Sequence, residues 1–134
     1  MVVKDLLCDG FQETVGQFLI RHRSVLDVMS KMQEATARVN RAVTKSVTSC
    51  GCVEISASKQ RVPSSLTSLS EVRDYMATHL SGQMCEHCRE VLESEIGGAL
   101  FYLTALCNIA GLDLHEVLLK EHTKLQTLGV FNLS

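Results

Sequence analysis

The chain has 134 residues, 46% of them hydrophobic and 21% charged, with no tryptophan. That composition excludes disorder and is enough for one domain, 1–134, to bury a core without cross-links. Thirteen Lys and Arg against fifteen Asp and Glu give a formal net charge of −2, which excludes a global basic field and does not favour nucleic acid as a partner.

The opening residues, Met1-Val2-Val3-Lys4-Asp5, show no leader pattern. Phe11, Val15, Phe18, Leu19 and His22 recur at helical spacing and predict a first helix over about 11–22. Ser24-Val25-Leu26-Asp27 resembles a capping box, and a second helical stripe runs through Leu26, Met29, Ala37, Val43 and Val47 to about Ser49, where Gly51 is a natural stop. Nothing between the two forbids helix, so one long bent rod is the alternative. The stretch 53–69 is rich in Ser and Thr and holds the only proline, Pro63, which predicts a polar loop with a short extended piece at about 52–55. Ser68 and Ser70 offer caps for a helix over about 71–80, ended by Ser81-Gly82.

The strongest helix follows. Leu92, Ile96, Ala99, Leu100, Leu103, Leu106, Cys107 and Ala110 form a wide apolar stripe that Gly111 ends. Asp113-Leu114-His115-Glu116 is a capping box for a last helix to about Leu128, terminated at Gly129. The short connection at Gly111-Leu112 favours antiparallel packing of these two helices. The expected fold is all-α, an antiparallel bundle of about four to five helices. The longest apolar region, from Ile96 to Ala110, is interrupted by Thr104 and Asn108, so no bilayer span is expected. The reading is cytoplasmic.

Chemistry concentrates in two cysteine pairs, Cys50-Gly51-Cys52 and Cys85-Glu86-His87-Cys88. One or two residues between cysteines let both sulfurs of a pair turn to one point, and two such pairs complete a tetrahedral thiolate set. Cys85, Cys88 and Leu92 share a helical face, and Cys85 falls at a helix N-terminus, where unpaired N–H groups stabilise thiolate. Zinc on Cys50, Cys52, Cys85 and Cys88 is the first expectation. An iron–sulfur cluster and a dithiol switch share the motif, and the bland alternative is unrelated buried cysteines, as expected for Cys8 and Cys107. His79 and His87 rank below the cysteines as ligands.

Charge is unevenly placed. Residues 21–61 hold eight Lys or Arg against three acids, while 86–121 hold seven acids against Arg89 and Lys120. Opposed segments within the fold or a dimer are the simplest reading. Glu86, Glu90 and Glu93 form an acidic row on the strong helix. Gly97-Gly98 in mid-helix costs about 1 kcal/mol per glycine relative to Ala, which calls for close approach of another helix or a ligand.

The run Glu93-Ser94-Glu95-Ile96-Gly97-Gly98-Ala99-Leu100-Phe101-Tyr102-Leu103, followed by Gly111-Leu112-Asp113-Leu114-His115-Glu116-Val117-Leu118 and Lys120, resembles the second half of MazG-like nucleotide pyrophosphohydrolases. The likeness covers about residues 90–124. It implies an all-α fold, often dimeric or tetrameric, that hydrolyses nucleoside triphosphates with Mg²⁺ held by Glu-Glu-x-x-Glu on one helix and Glu-x-x-Asp on the next. Glu95 matches the first position of the second motif, but Gly98 stands where its Asp belongs. In the earlier helix, Gln33-Glu34-Ala35-Thr36-Ala37 keeps only Glu34. Mg²⁺ requires several oxygen ligands in near-octahedral geometry, so this loss cripples two-metal catalysis unless Glu90 or Glu93 substitutes.

The leading expectation is therefore a non-catalytic, MazG-like helical protein, homodimeric, with a Cys-ligated zinc in a structural or regulatory role. The alternatives are a divergent Mg²⁺-dependent pyrophosphohydrolase and a thiol redox sensor. The enzyme reading would use Glu34, Glu90, Glu93 and Glu95 on metal and Lys31, Arg38 or Lys120 on the phosphates of a nucleotide.

Overall fold

The computed structural model describes residues 6–128. Five α-helices dominate the described chain: α1 (Leu6–Phe18), α2 (Val25–Lys45), α3 (Leu69–Val72), α4 (Glu86–Ala110) and α5 (Leu114–Leu128). Two short strands, β1 (Val53–Ile55) and β2 (Leu80–Gly82), complete the set. The protein is mostly α, as its periodicity implies.

Helices α1 and α2 are separate rather than one rod. The Arg23 guanidinium donates to the Leu19 carbonyl at 3.1 Å. The Ser24 hydroxyl accepts from the Leu26 N–H at 3.3 Å and caps α2. A side chain at each end satisfies orphan backbone groups, so the break is specified locally. The first helix also ends at Phe18, earlier than His22.

The backbone of the architecture is the pairing of α2 with α4. Val28 and Ala105 lie in one buried cluster, Ala35 and Arg38 face Gly98 and Glu95, and Lys45 lines the same groove as Val91. As α2 advances its partners on α4 recede, so the two helices run antiparallel. Val15 and Leu19 of the α1 end join Val28 and Ala105 in this core, with Phe11, Phe101 and Leu106 packed against it. The core is thus at one end of the α2–α4 pair, and the cysteines are at the other.

One expectation fails between Val53 and Ala110. The predicted helix over 71–80 is only one turn of α3 with a 3₁₀ turn at Arg73–Tyr75, and Leu80–Gly82 is strand. That strand pairs antiparallel with β1 in the register Val53↔Gly82, Glu54↔Ser81 and Ile55↔Leu80, so ladder bonds outweigh weak helical propensity. Beyond the adjacent residues and the helix's own backbone, no atom of this chain lies within 4 Å of a Cβ built at Gly97 or Gly98. Close approach within the chain is not what holds those glycines.

The last two helices are not antiparallel. Their axes turn by 106° at Gly111–Asp113, and Gly111 closes α4 in the left-handed conformation at φ 72°. The cause lies in α1. The Gln12 amide donates to the Leu112 carbonyl at 2.7 Å and accepts from the Leu114 N–H at 2.8 Å. The same amide donates to the Asn108 side chain at 2.9 Å, and the Asn108 amide donates back to the Gln12 carbonyl at 3.2 Å. One glutamine therefore fixes the corner and directs α5 over α1. The Asp113 cap of α5 is made as the sequence implies, with the His115 N–H donating to Oδ1 at 2.9 Å. Its predicted terminator, Gly129, lies outside the described residues. Among the described residues no single helix is long and apolar enough to cross a membrane.

Candidate metal centre

The two cysteine pairs reach one place by different local devices. At the end of α2, Thr44, Ser46 and Thr48 turn their hydroxyls back onto the carbonyls of Asn40, Val43 and Thr44, at 3.0, 2.6 and 3.0 Å. Such back-bonding competes with the helical ladder, and the chain widens into a π-helical turn over Ser46–Cys50. Gly51 closes it at φ 77°, its N–H donating to the Ser46 carbonyl at 2.9 Å. This turn delivers Cys50 and, one residue after the glycine, Cys52.

Cys85 is the N-cap of α4, and its sulfur accepts from the Cys88 N–H at 3.4 Å. Cys88 sits in the first turn beneath it, buried. The β1–β2 pairing lies between the two cysteine pairs and draws them together. At its Cys-facing end, Gly82 adopts φ 89°, and a Cβ there would stand 2.9 Å from the Cys52 carbonyl oxygen. Only glycine allows this approach.

All four sulfurs converge. Those of Cys50, Cys52, Cys85 and Cys88 lie within 4.8 Å of one another, and Cys50 and Cys85 are separated by 3.7 Å. Four thiolates placed about 2.3 Å from a single zinc stand about 3.8 Å apart. None of the four is in a disulfide, and sulfurs this close can reach one tetrahedral ion. A multi-iron cluster is larger than one ion and would hold its thiolates further apart.

The electrostatics are those of a set prepared to lose protons one at a time. The Cys88 backbone N–H holds the Cys85 thiol down at about 7. The neighbouring Cys85 sulfur, and burial after it, push Cys88 up to about 12. Cys85 also raises Cys50. Helix N–H groups thus favour the first thiolate, and crowding opposes further ones until a cation arrives. Cys50 is exposed and forms the solvent side of the cluster, while Cys88 forms its floor.

The other sequence candidates are placed differently. Cys8 and Cys107 are half-buried, not core. His79 stands at φ 62° with its ring beside the 58–60 loop, Nε2 lying 3.5 Å from the Ser58 nitrogen and 3.4 Å from the Gln60 amide nitrogen. His87 is exposed on α4. Neither joins the cluster.

Glu34, Glu90, Glu93 and Glu95 do not assemble. Among the described residues the four cysteines are the only group of three or more potential metal ligands that meets. Glu93 and Glu95 are two residues apart on one helix and point to opposite sides. Glu34 and Glu95 do share a groove of about 540 Å³ between α2 and α4, but cations already pair with Glu34. Arg38 and Lys31 bond Glu34 at 2.8 and 3.3 Å. The Arg38 hydrogen bond, then that of Lys31, holds the Glu34 carboxyl below its ordinary value.

Lys31 and Arg38 flank this groove, whereas Lys120 lies on α5 beside a separate shallow depression. Two groove cations, Arg41 and Lys45, were not singled out from the sequence. Their steps of three and seven from Arg38 place them on the same side of α2. That spacing was the available signal. Gly82 and the π-turn carried no comparable one.

No protein-family profile, curated protein or solved structure matches this chain.

Proposed function

We propose that this is a non-catalytic helical protein in which Cys50, Cys52, Cys85 and Cys88 bind one zinc ion as a clasp, serving a structural or regulatory role. The observation that carries the reading is the spacing of the sulfurs, 3.7 Å between Cys50 and Cys85 and within 4.8 Å throughout. Zinc suits a set of four thiolates with no water-held open position and no redox demand. Two of the sulfurs belong to α4 and two to the chain just after α2, so the ion would tie the far ends of the antiparallel pair. A thiolate set of this kind belongs in a reducing, cytoplasmic setting.

The scaffold is read as MazG-like with its carboxylate chemistry lapsed. Gly98 replaces one acid of that family's pattern, and Glu34 is held by Arg38 and Lys31.

The test is the metal content of untagged protein purified anaerobically, measured by mass spectrometry with its visible spectrum. One zinc per chain, no colour, and a melting temperature that falls with a strong chelator are the expected results. Protein that carries no stoichiometric metal and melts identically with chelator sinks the reading. Iron with charge-transfer bands replaces zinc by an iron site. Reversible oxidation of metal-free thiols, with Cys85 attacking, replaces it by a thiol sensor.

The groove between α2 and α4 favours one second reading. Arg38, Arg41 and Lys45 line it with Glu34 and Glu95, a polar cleft in which phosphates of a nucleotide could sit. A divergent pyrophosphohydrolase would release pyrophosphate from a nucleoside triphosphate with Mg²⁺ or Mn²⁺ and lose this with Glu95→Gln. Silence across a broad nucleotide panel removes it.

A further inference from the structure

The four clustered cysteines are not equally sheltered. Cys88 is buried, Cys52 and Cys85 are half-buried, and Cys50 is exposed. The Cys50 sulfur stands 3.7 Å from that of Cys85, across the gap between the π-turn and the start of α4. An S–S bond is about 2.0 Å long, so these two sulfurs need to close by less than about 2 Å to be joined. The other two are worse placed for a reagent arriving from solvent. The Cys52 sulfur lies against the Ser46 carbonyl at 3.7 Å, and Cys88 sits beneath Cys85 in the first turn of α4.

We propose that the clasp is exchangeable: a hydroperoxide converts the zinc-bound site into a Cys50–Cys85 disulfide, which releases the ion and leaves α2 and α4 tied. The inference rests on the zinc reading above. Metal-bound cysteines are thiolates, the nucleophilic form, and oxidation begins at the thiolate that solvent reaches. The Cys50 sulfur attacks hydrogen peroxide, the O–O bond breaks, a sulfenic acid forms on Cys50 and hydroxide leaves. The Cys85 thiolate then attacks the Cys50 sulfur, the S–S bond forms, the S–O bond breaks and a second hydroxide leaves. Two sulfurs have given up two electrons, and the peroxide has taken both. The ion keeps only Cys52 and Cys88 of the four ligands that a closed structural site uses, and passes to solvent. A dithiol reductant returns the two electrons and reopens the site.

The choice of pair decides what oxidation does to the fold. A bond within Cys50-Gly51-Cys52 or within Cys85-Glu86-His87-Cys88 would fasten each element only to itself. Cys50 and Cys85 are 35 residues apart in sequence and belong to different helix ends. Their cross-link joins the same two places that the ion joins, and it restricts the unfolded chain as the ion does. The β1–β2 ladder between the two pairs keeps them facing while one tie replaces the other. A chelator, by contrast, removes the ion and puts nothing in its place. Two zinc-free forms of the same chain therefore differ in stability.

The experiment treats the zinc-loaded full chain with stepwise additions of hydrogen peroxide. Released zinc is read with a chromophoric chelator, and disulfides are mapped by mass spectrometry of proteolytic peptides. The expected result is about one zinc released per peroxide consumed, a peptide pair joined through Cys50 and Cys85, and unchanged helical circular dichroism. A dithiol reductant with added zinc should restore the metal in full. The oxidised protein should melt above the reduced protein stripped by chelator. Cys8→Ser and Cys107→Ser, both outside the cluster, should change none of this. The wild-type chain carries the decisive readings, so no ligand variant has to fold. Zinc that stays bound under peroxide overturns the proposal, as does a disulfide confined to either tight pair. So does release that reductant fails to reverse, or an oxidised chain that melts no higher than the stripped one. Each of these leaves the zinc clasp standing, whereas a chain that takes up no zinc at the outset defeats the clasp and this inference with it.

Discussion

The two ends of α4 solve opposite problems. Its N-terminal end lies in a small, strongly specified contact: a π-turn, a glycine at φ 89°, a three-residue ladder and four sulfurs, all gathered by residues distant in sequence. Its middle and C-terminal parts bury Thr104 and Ala105 yet leave Ile96, Leu100 and Leu103 43%, 50% and 47% exposed. Polar and sulfur groups are directional, so a few of them fix a site within one chain. Apolar area is not directional, and it is indifferent to whether its cover comes from the same molecule or another.

The contrast is broken most severely at the cysteines. On the clasp proposed above, Cys88→Ser should abolish metal binding and lower the melting temperature by roughly 10 °C or more. Hydrogen exchange should rise from β1 to the start of α4 while the α1 end stays protected. A smaller loss follows at the opposite end. Val28 is fully buried against α1 and Ala105, so Val28→Ala should cost about 2 kcal/mol, read by urea denaturation, with metal content unchanged.

Gly82→Ala comes next. Its new Cβ would meet the Cys52 carbonyl in a backbone conformation that side chains disfavour, at about 1–3 kcal/mol. Under the proposed clasp it should also weaken zinc binding, because the strained contact is with one of the four clustered cysteines. pH sharpens the same point. Protons compete with metal for thiolates, and Cys88 in the metal-free set holds its proton up to about 12. Zinc affinity, measured against a chromophoric chelator, should therefore fall at least about tenfold between pH 7 and pH 6.

The least effect belongs to the middle of the pair. Glu34 is exposed, and Arg38 and Lys31 hold its carboxyl below the ordinary value. Its contribution is present above the usual carboxylate range and disappears as pH falls through the lowered value. Glu34→Gln should lower the melting temperature only slightly at pH 7, and by less as pH falls through the lowered carboxyl value.

Much of this was legible in the chain. The α4 period, the Gly111 stop and the Asp113 cap are local signals with local causes, and each appears where the sequence puts it. The cysteine spacing pointed to convergence because tight pairs allow it geometrically. The strand at Leu80–Gly82 was not legible, since its stabilisation comes from a partner strand 27 residues away at Ile55 to Val53 in the opposite direction. The direction of α5 was hidden for a similar reason: Gln12, about a hundred residues upstream, sets it. Nor can a stripe such as Ile96-Leu100-Leu103 declare whether it faces inward, because period records amphipathicity and not address.

The hairpin ladder has one more consequence. Between Ile55 and Leu80 the chain leaves the helices and returns, fastened by the Gln60 amide, which donates to the Ala77 carbonyl and accepts from the Ala77 N–H at 2.9 Å each. Both ends of this excursion are pinned, so doubling its length adds only about 0.6 kcal/mol of closure entropy. New sequence can be threaded here while the helices on either side stay in register. The segment is the molecule's natural insertion point, where a tag, a reporter or a recognition peptide can be displayed at little cost to the fold beneath it.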